Sequence, residues 1–446
     1  MNALLDDLTW RGFVANSTDR DALAAHLDAG MVTSYVGFDP TARSLHIGHL
    51  MQLILARRLQ QAGHRPLLLI GGSTGLIGDP KMTGERVMNT KETVSAWVAS
   101  LAEQTKKYVS FEGENGSRIV NNLDWTGPLS ALDFLRDIGK HFSVNRMLAR
   151  DVVARRLEDG ISYTEFSYVL LQSFDYAELH RLYGCTLQTG AQDQWGNITA
   201  GADYIRRTTG DIVHGLVTPL LTKADGTKFG KTEGGTVWLD PELTSPYAFH
   251  QFWLNAEDAK VMDYLKIFSF RSHDELAELA EQTEQAPYKR LAQRALADDV
   301  TDLVHGVEAR KAADEAARAL FGRGELAALD DATISAVMGE VKATEVSTRD
   351  GELPTVVDAL AASGVVASKS AARRTIQEGG AYVNNAKVTD PDARLSADQL
   401  LAGRYAVLRR GKKTVGGVIL TRCQAPMPMG RPPGSDAGGT AHLHAR

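Results

Sequence analysis

Short apolar runs separated by helical repeats predict a parallel α/β sheet in the first half of the chain. The runs 33–38 and 66–70 are continuous and apolar, which is typical of strands covered on both faces. Between them Leu50, Leu53 and Leu59 recur at helical spacing, so strand, helix and strand form a parallel βαβ unit. Further strands and helices of this kind are predicted at 118–124, 164–183, 185–189, 195–208 and 214–221.

The pattern changes twice after the α/β part. A stretch rich in Ala, Leu and charge predicts an α-helical domain, and the regular pattern then fades into what we interpret as a linker. A small α+β domain follows, and the Pro- and Gly-rich end of the chain is expected to be disordered. The predicted parts are 1–244 with a helical insertion at about 125–183, then 245–339 (helical), 340–353 (linker), 354–422 (α+β) and 423–446 (tail).

Composition narrows the class of protein. The chain has 446 residues with 43% hydrophobic and 23% charged content, which indicates a globular protein of two or three domains. Cys185 and Cys423 fit no disulfide or zinc spacing, which favours a reducing compartment. The first residues carry Asp6 and Asp7 and lack the apolar segment of a signal peptide, and no run reaches the length of a membrane span. We therefore expect a cytoplasmic protein without membrane contacts.

The last predicted domain carries a local surplus of basic residues. The net charge of the chain is −6, so the charge as a whole gives no sign of nucleic-acid binding. Here Thr355 and Ser368 cap two predicted helices, and 382–388 form a hairpin that turns at its asparagines. A basic face of this kind attracts phosphate backbones, although a solvated surface is the alternative. The candidate residues for binding a nucleic-acid backbone are Lys369, Arg373, Arg374, Arg409 and Lys412.

The segment 35–50 carries the first candidate chemistry. A strand turns through Asp39 and Thr41 into a helix, which places free backbone N–H groups and the positive end of a helix dipole at one spot. His46 and His49 lie three apart on the first helical turn and share a face. Gly48 between them leaves room for a flat ligand against the backbone. Metal ligation and ordinary buried histidines are the alternatives.

A second polar group lies on the predicted helix 164–183. Tyr168, Gln172 and Asp175 step by four and three, so one face of an otherwise apolar helix presents all three side chains. This pattern predicts the wall of a pocket, with a solvated stripe as the alternative. The glycine-rich segment 71–80 follows a predicted strand directly, where open α/β sheets bind ligands, and a flexible loop is its alternative reading.

Two motifs in a fixed order then identify a resemblance. The run His46-Ile-Gly-His49 is the signature of class I aminoacyl-tRNA synthetases, and Lys228-Phe-Gly-Lys231-Thr232 resembles their second signature, the mobile lysine loop. The chain is similar to the bacterial tyrosyl-tRNA synthetase family from about Leu8 to about Leu420. This resemblance implies a Rossmann-like parallel-sheet catalytic domain with a helical insertion, an α-helical domain and a C-terminal α+β RNA-binding domain.

The resemblance also implies roles at the ATP end of the site. His46 and His49 would contact ATP, with Thr41 at its terminal phosphate, while Lys228 and Lys231 would close over the phosphates. Arg86 would contact pyrophosphate, and whether Lys81 does so stays open. The implied adenosine and backbone contacts are Gly37, Asp39, Gly48 and Asp193, the last on the ribose, and Val36 and Gln52 fall beside this site without an assigned role.

At the amino-acid end, the resemblance implies that Tyr35 and Asp175 bind the phenolic hydroxyl of tyrosine. Asp79, Tyr168 and Gln172 would hold its ammonium group, and Gln194 would lie near its carboxylate. A carboxylate buried opposite the phenol disfavours phenylalanine, because that ligand would leave the polar group unpaired.

The expected partners follow from the same resemblance. They are L-tyrosine, ATP with Mg²⁺ at its phosphates, tyrosine tRNA, and a second copy of the chain held through the helical insertion. No permanently bound cofactor and no metal centre are expected. The rival hypotheses are a tryptophan enzyme of the same fold and an inactive RNA-binding relative. The pattern Tyr-Thr-Glu-Phe-Ser-Tyr168 and the intact motif residues favour an active tyrosine enzyme.

Overall fold

The computed structural model describes residues 2–80, 88–158, 160–224, 226–227, 229–232, 235–322, 324–348, 352–411 and 414–422. The chain forms two compact units, Met1–Asp314 and Glu315–Arg446. The first is an α/β unit and the second an α+β unit, which confirms the predicted fold class. The finer domain boundaries given in the sequence analysis stay predictions.

The strands of the first unit form one mixed sheet and a small hairpin. The sheet has the order β1-β6-β5-β2-β3-β4; all neighbours pair in parallel except β1, which is antiparallel to β6. Strand β2 begins and ends where the sequence pattern predicts. The strands are β1 Asn16–Ser17, β2 Thr33–Phe38, β3 Arg65–Ile70, β4 Arg118–Asn121, β5 Cys185–Ala191, β6 His214–Thr218, and the hairpin β7 Lys231–Thr232 with β8 Gly235–Thr236.

Helices surround this sheet and continue beyond it. Several begin at a polar cap, as where the Ser162 side chain accepts the Glu165 N–H, or where Ser272 and Glu275 cap each other. The helices are α1 Ala3–Arg11, α2 Arg20–Asp28, α3 Ile47–Gln61, α4 Thr74–Ile77, α5 Lys91–Thr105, α6 Leu123–Thr126, α7 Ala131–Asp133, α8 Val144–Leu148, α9 Asp151–Arg156, α10 Tyr163–Tyr183, α11 Trp195–Thr209, α12 Pro246–Leu254, α13 Val261–Phe268, α14 His273–Gln285, α15 Leu291–His305 and α16 Val307–Leu320.

The strand order creates a switch point in the middle of the sheet. From β2 the chain builds outward through β3 to β4, and it then returns to the other side of β2 to build β5 and β6. Crossovers leave in opposite directions on the two sides of β2, so a crevice opens at the carboxyl ends of β2 and β5. Buried Leu53 and Ile54 of α3 form part of the core that supports this region. The candidate site lies in that crevice.

The second unit contains a five-stranded sheet of order β11-β10-β12-β13-β9. Thr355 and Ser368 cap its helices as predicted, and Asn384 and Asn385 both have positive φ in the predicted hairpin turn. The sequence interpretation missed β9, which lies in the segment 340–353 and pairs in parallel with β13. The elements are α17 Asp331–Glu340, β9 Thr344–Thr348, α18 Val356–Ala362, α19 Lys369–Gln377, β10 Ala381–Val383, β11 Ala386–Lys387, β12 Tyr405–Arg410 and β13 Thr414–Arg422.

Within the described residues, no helix has both the length and the apolar character that crossing a bilayer requires. The tail 423–446, which the sequence analysis expects to be disordered, lies outside the described residues.

Candidate active site

A cavity of about 510 Å³ lies at the carboxyl ends of β2, β5 and β6. It is also lined by Gly230 and Thr236, beside and within the β7–β8 hairpin, and by Val36 and Gln52. The predicted ATP and tyrosine residues that the structure describes meet in this one cavity, although they come from distant parts of the chain. They are Tyr35, Gly37, Asp39, Thr41, His46, Gly48, His49, Asp79, Tyr168, Gln172, Asp175, Asp193 and Gln194.

The two histidines form a stacked pair at the start of α3. Their ring centroids lie 3.8 Å apart with an interplanar angle of 16°. His46 Nδ1 accepts the Gly48 N–H at 3.0 Å, and His49 Nδ1 accepts the His46 N–H at 3.2 Å. Because both Nδ1 atoms accept backbone hydrogens, each neutral ring carries its proton on Nε2. The pair can thus donate two Nε2–H hydrogen bonds.

Burial favours the neutral form of His49. Desolvation lowers the pKa of His49 well below its ordinary value, and neighbouring His46 adds a smaller effect in the same direction. A Cβ on residue 48 would lie 2.9 Å from the His46 ring, so Gly48 is required for the ring to cap the helix. Neutral N–H donors at a helix N-terminus are suited to a phosphate.

At the opposite end of the cavity, Asp175 is buried among hydrogen-bond donors. Its carboxylate accepts from Asn122 Nδ2 at 2.9 Å and from Trp125 Nε1 at 2.8 Å. Burial raises the pKa of Asp175 to about 7, while these two hydrogen bonds oppose the rise. The Tyr35 hydroxyl is buried nearby and finds no hydrogen-bond partner among the described residues. A ligand with a hydroxyl group would satisfy both side chains.

Between these ends lies a network of amides and carboxylates. Gln194 Nε2 donates to Asp79 Oδ2 at 3.0 Å, and the Tyr168 hydroxyl donates to Asp39 Oδ2 at 2.8 Å. Burial raises the pKa of Asp79 to about 6, and Asp39 adds to the rise. The buried Gln172 Oε1 has no hydrogen-bond partner among the described residues. Two carboxylates with a free amide oxygen suit a cationic group such as an ammonium.

Sequence reasoning missed several residues that shape the cavity. Asn122 lies immediately before α6 and Trp125 lies on it, 53 and 50 positions from Asp175 in sequence, so helix periodicity gives no sign of them. Gln188 lines the cavity beside Tyr35 in the sheet register, and its buried Oε1 lacks a partner within the described residues. A glutamine inside an apolar strand was the one signal available for it.

Some predicted residues cannot be placed. Arg86, Lys228 and Lys412, together with Lys81, lie outside the described residues. The backbone of Lys231 lies in β7, and its side chain is not among those described. Their assigned roles stay predictions.

The basic residues of the second unit occupy unlike environments. Lys369 and Arg373 are exposed and pair with Asp358 at 2.6 Å and Asp392 at 3.0 Å. Arg374 is also exposed. Arg409 differs from the expected exposed face: it is 8% exposed, its Nη1 donates to the Phe321 carbonyl at 3.2 Å, and its guanidinium lies over Tyr382. Sequence periodicity along β12 does not reveal this burial, because it depends on a chain segment 88 residues away.

Among the described residues, three side chains that could hold a metal ion lie together away from the cavity. His250, Asp298 and Asp314 bring three donor atoms within 4.8 Å of one another. Arg310 also contacts Asp314, at 3.4 Å, and supplies positive charge there. The absence of a metal centre stays a prediction.

Comparison with known proteins agrees with this geometry. Residues 28–322 match the family described as tRNA synthetases class I (W and Y), and residues 334–415 match the tyrosine--tRNA ligase SYY-like C-terminal domain. The chain therefore belongs to the class I tRNA synthetases of the tryptophan and tyrosine group. It is 68% identical over 418 residues to the tyrosine--tRNA ligase of Cutibacterium acnes, covering 94% of this chain and 100% of that one. Within the group, the chain belongs to the tyrosine--tRNA ligase family.

Further relatives and solved structures support the same assignment. The tyrosine--tRNA ligase of Streptomyces coelicolor is 59% identical over 424 residues, covering 94% of this chain and 100% of that one. A C-terminally truncated mitochondrial tyrosyl-tRNA synthetase of Aspergillus nidulans superposes with a TM-score of 0.65 at 31% identity, covering 72% of this chain and 95% of that one. A tryptophanyl-tRNA synthetase from Encephalitozoon cuniculi shares the fold alone, with a TM-score of 0.51 at 15% identity, covering 69% of this chain and 87% of that one. The predicted family is confirmed.

Proposed function

We propose that this chain activates L-tyrosine with ATP and transfers it to the 3′ end of tyrosine tRNA. The ligase activity follows from membership of the tyrosine--tRNA ligase family. The observation that carries the proposal is the single cavity with a histidine pair at one end and the Asp175–Tyr35 pair at the other. These ends suit a triphosphate and a phenol.

The first step joins the two substrates. A tyrosine carboxylate oxygen attacks the α-phosphorus of ATP and forms the mixed anhydride, while the bond to pyrophosphate breaks and its electrons leave with pyrophosphate. No covalent enzyme nucleophile is needed, so the site works by alignment and by stabilising the charge that develops on the phosphates. His46 and His49 supply Nε2–H donors for that charge, and Lys228 and Lys231 supply positive charge from the loop.

The second step moves the tyrosyl group to RNA. The hydroxyl at the 3′ end of the tRNA attacks the anhydride carbonyl and gives up its proton, while AMP leaves with the electron pair of the broken bond and its phosphate can accept that proton. The second unit, with exposed Lys369, Arg373 and Arg374, binds the tRNA backbone. Mg²⁺ enters with the ATP phosphates and is therefore part of the substrate.

Recognition of tyrosine depends on the phenol end of the cavity. Asp175 is held by two donors, and the free Tyr35 hydroxyl completes a hydroxyl-binding pair. Phenylalanine would leave these buried polar groups unpaired, which costs roughly 1–3 kcal/mol for each group. Asp79, Tyr168 and Gln172 bind the ammonium group, and Gln194 binds near the carboxylate.

The test is amino-acid-dependent exchange of labelled pyrophosphate into ATP. We expect exchange with tyrosine and none with tryptophan or phenylalanine. Exchange with tryptophan would assign the chain to the sister enzyme, and no exchange with any amino acid would favour the inactive RNA-binding relative.

The chain works in the cytoplasm. It acts there as a homodimer joined through the helical insertion. Large apolar side chains of the insertion are exposed in the single chain, including Leu132 at 79%, Val144 at 58% and Tyr163 at 65%. Exposed apolar groups of this kind favour association. Light scattering should give twice the chain mass, and Leu132→Glu should shift it towards the monomer; a monomeric wild type would refute the dimer.

A further inference from the structure

Arg150, which no motif identified, hydrogen-bonds to a side chain next to the residues predicted to bind the amino acid. It lies in the helical insertion immediately before α9, and its Nη2 donates to Asn197 Oδ1 in the first turn of α11. Arg150 also lines a second cavity of about 360 Å³, together with insertion and α11 residues. Arg150 therefore connects the insertion to the start of α11.

Asn197 links Arg150 to Asp79 and Gln194, two side chains proposed to bind the substrate. It is only 2% exposed, and its Nδ2 lies 3.0 Å from Gln194 Oε1 and 3.4 Å from Asp79 Oδ1. Gln194 in turn donates to the other oxygen of Asp79 at 3.0 Å. The three side chains form a closed ring of hydrogen bonds, and Arg150 fixes the orientation of the Asn197 amide, since only its oxygen can accept.

The position of Arg150 is unfavourable for a cation, and Asp79 reduces this cost. Its guanidinium lies against the N-terminus of α11, where the helix dipole disfavours positive charge. Gly196 makes the approach possible: a Cβ there would lie 3.0 Å from Arg150 Nη2. Burial lowers the pKa of Arg150, and attraction to the Asp79 carboxylate opposes part of that lowering.

We propose that Arg150 and Asn197 are positioning residues for tyrosine binding, which hold Asp79 and Gln194 in the geometry that receives the ammonium group and the carboxylate. This inference rests on the function proposed above. It ties the amino-acid site to the helical insertion, and neither residue touches the substrate.

The test compares Arg150→Ala with Arg146→Ala. Both changes remove one arginine from the same insertion, but Arg146 is 74% exposed and pairs with Asp203 instead of the network. In tyrosine-dependent pyrophosphate exchange, Arg150→Ala should raise KM for tyrosine by roughly 10-fold or more, the loss expected for a hydrogen bond to a charged group. KM for ATP should change less than twofold, and Arg146→Ala should match the wild type in both constants.

The pH profile separates positioning from a general structural effect. The charged and titratable groups around Asp79 are Arg150, which lowers its pKa, and Asp39, which raises it, with Tyr168 also close. Without Arg150 the pKa of Asp79 rises further, so the carboxylate is lost at a higher pH. KM for tyrosine should then increase on acidification from pH 8 to pH 6 more steeply than in the wild type, and Arg150→Lys should restore much of the wild-type profile.

A second pair of variants completes the test. Asn197→Ala should raise KM for tyrosine as Arg150→Ala does, and the double variant should be no worse than the poorer single one, because both changes break one network. Additive effects, an unshifted pH profile, or equal behaviour of Arg150→Ala and Arg146→Ala would overturn the inference. A wild type without tyrosine-dependent exchange would instead overturn the proposed function. Circular dichroism identifies a variant that fails to fold, and Arg150→Lys then carries the test.

Discussion

At the scale of single residues, Asp175 links ligand recognition to stability. It is 1% exposed, and burial raises its pKa from the ordinary 3.8 to about 7. The folded state therefore binds more protons at this site than the unfolded state between these two values. The contribution of Asp175 to stability is favourable at low pH and is lost as the pH rises towards 7. Near neutral pH, Asp175 therefore lowers the stability of the folded state, although it is needed for ligand recognition.

The variant Asp175→Asn tests this linkage. The free energy of unfolding of the variant minus that of the wild type should rise between pH 4 and pH 7, because the variant lacks the titrating group. Urea denaturation at a series of pH values measures the difference, and Asp274→Asn serves as the matched variant at an exposed aspartate. A flat or falling difference would show that Asp175 does not titrate in this range. Asp175→Ala should also abolish tyrosine activation in pyrophosphate exchange.

Lys231 is expected to affect the rate of adenylate formation. As a lysine of the loop motif it is expected to act on the phosphates as charge develops, so its removal should weaken the transition state more than the bound substrate. Lys231→Ala should lower the rate of adenylate formation by roughly 10²–10³-fold, the usual loss for one such donor, with little change in tyrosine affinity. Single-turnover kinetics measures the rate and equilibrium binding the affinity. Equal losses in both would mean that the lysine only binds.

Motif residues could be predicted from sequence, and their supporting residues could not. His46 and His49 stand in a short run with its own helix signal, and Tyr168, Gln172 and Asp175 share one helical face. Asn197 carries no sequence signal, because its contacts with Arg150 and Asp79 form only in the fold. Gln188 is marked in the sequence only as a polar residue inside an apolar strand. A side chain whose partners come from distant elements carries no periodic signal. The same reason explains why burial of Arg409 was not foreseen.

At the scale of elements, an aromatic cluster anchors the segment that carries the lysine loop motif. The Phe229 ring lies 4.2 Å from Tyr264, 5.0 Å from Phe252 and 5.4 Å from Trp253, measured between ring centroids. The Phe229 N–H also donates to the Leu221 carbonyl at 3.0 Å. Phe229 thus ties this segment to α12 and α13, so the loop is attached to helices as well as to the sheet.

This attachment predicts a kinetic effect of Phe229→Ala. Without the ring the loop samples more positions, so adenylate formation at saturating substrates should slow by about tenfold, equivalent to roughly 1.4 kcal/mol of lost positioning. KM for tyrosine should stay unchanged, because the residues predicted to bind tyrosine lie on other elements. Phe229→Leu keeps apolar volume and should retain most of the rate. Equal slowing by both variants, or a raised tyrosine KM, would contradict anchoring.

Strands differed in how well sequence predicted them. Strand β2 is a continuous apolar run inside a parallel sheet, and its predicted and observed limits agree. Strand β9, Thr-Glu-Val-Ser-Thr, is an edge strand with mostly exposed polar side chains, and it exists because β13 offers it a partner. An edge strand of this composition has no pattern that separates it from a loop. The sequence interpretation of 340–353 did not identify this strand for that reason.

At the scale of the whole molecule, the order of strands explains why a cavity exists at all. The sheet reverses its direction of growth at β2, and residues from both sides of the reversal meet at the carboxyl ends of β2 and β5. The sequence predicted parallel βαβ units and therefore the correct end of the sheet. After the helical insertion, β5 pairs with β2 and not with β4, and no local pattern specifies this strand order.

The division into two units suggests where the chain can be shortened. A deletion from Pro354 onward would remove β13 and leave β9 without its partner. It would also remove β12 and β13, the strands against which α17 packs. A deletion from Gly324 onward removes these elements together and keeps α16 Val307–Leu320 whole. The deletion from Pro354 exposes an unpaired strand, which favours aggregation. The deletion from Gly324 avoids this effect and is therefore the clearer experiment.

The chain truncated after residue 323 should form tyrosyl-adenylate at the wild-type rate, because every described residue of the cavity lies in Met1–Asp314. Its transfer of tyrosine to tRNA should fall by at least tenfold at limiting tRNA, since the basic residues of the second unit no longer contact the phosphate backbone. Pyrophosphate exchange and aminoacylation measured on the same preparation separate these effects. Raising the salt concentration should weaken tRNA binding by the full chain more than by the truncated one, because fewer phosphate contacts remain to be screened. Unchanged aminoacylation would remove the second unit from the mechanism, and lost adenylate formation in a folded truncated chain would show that the cavity depends on it.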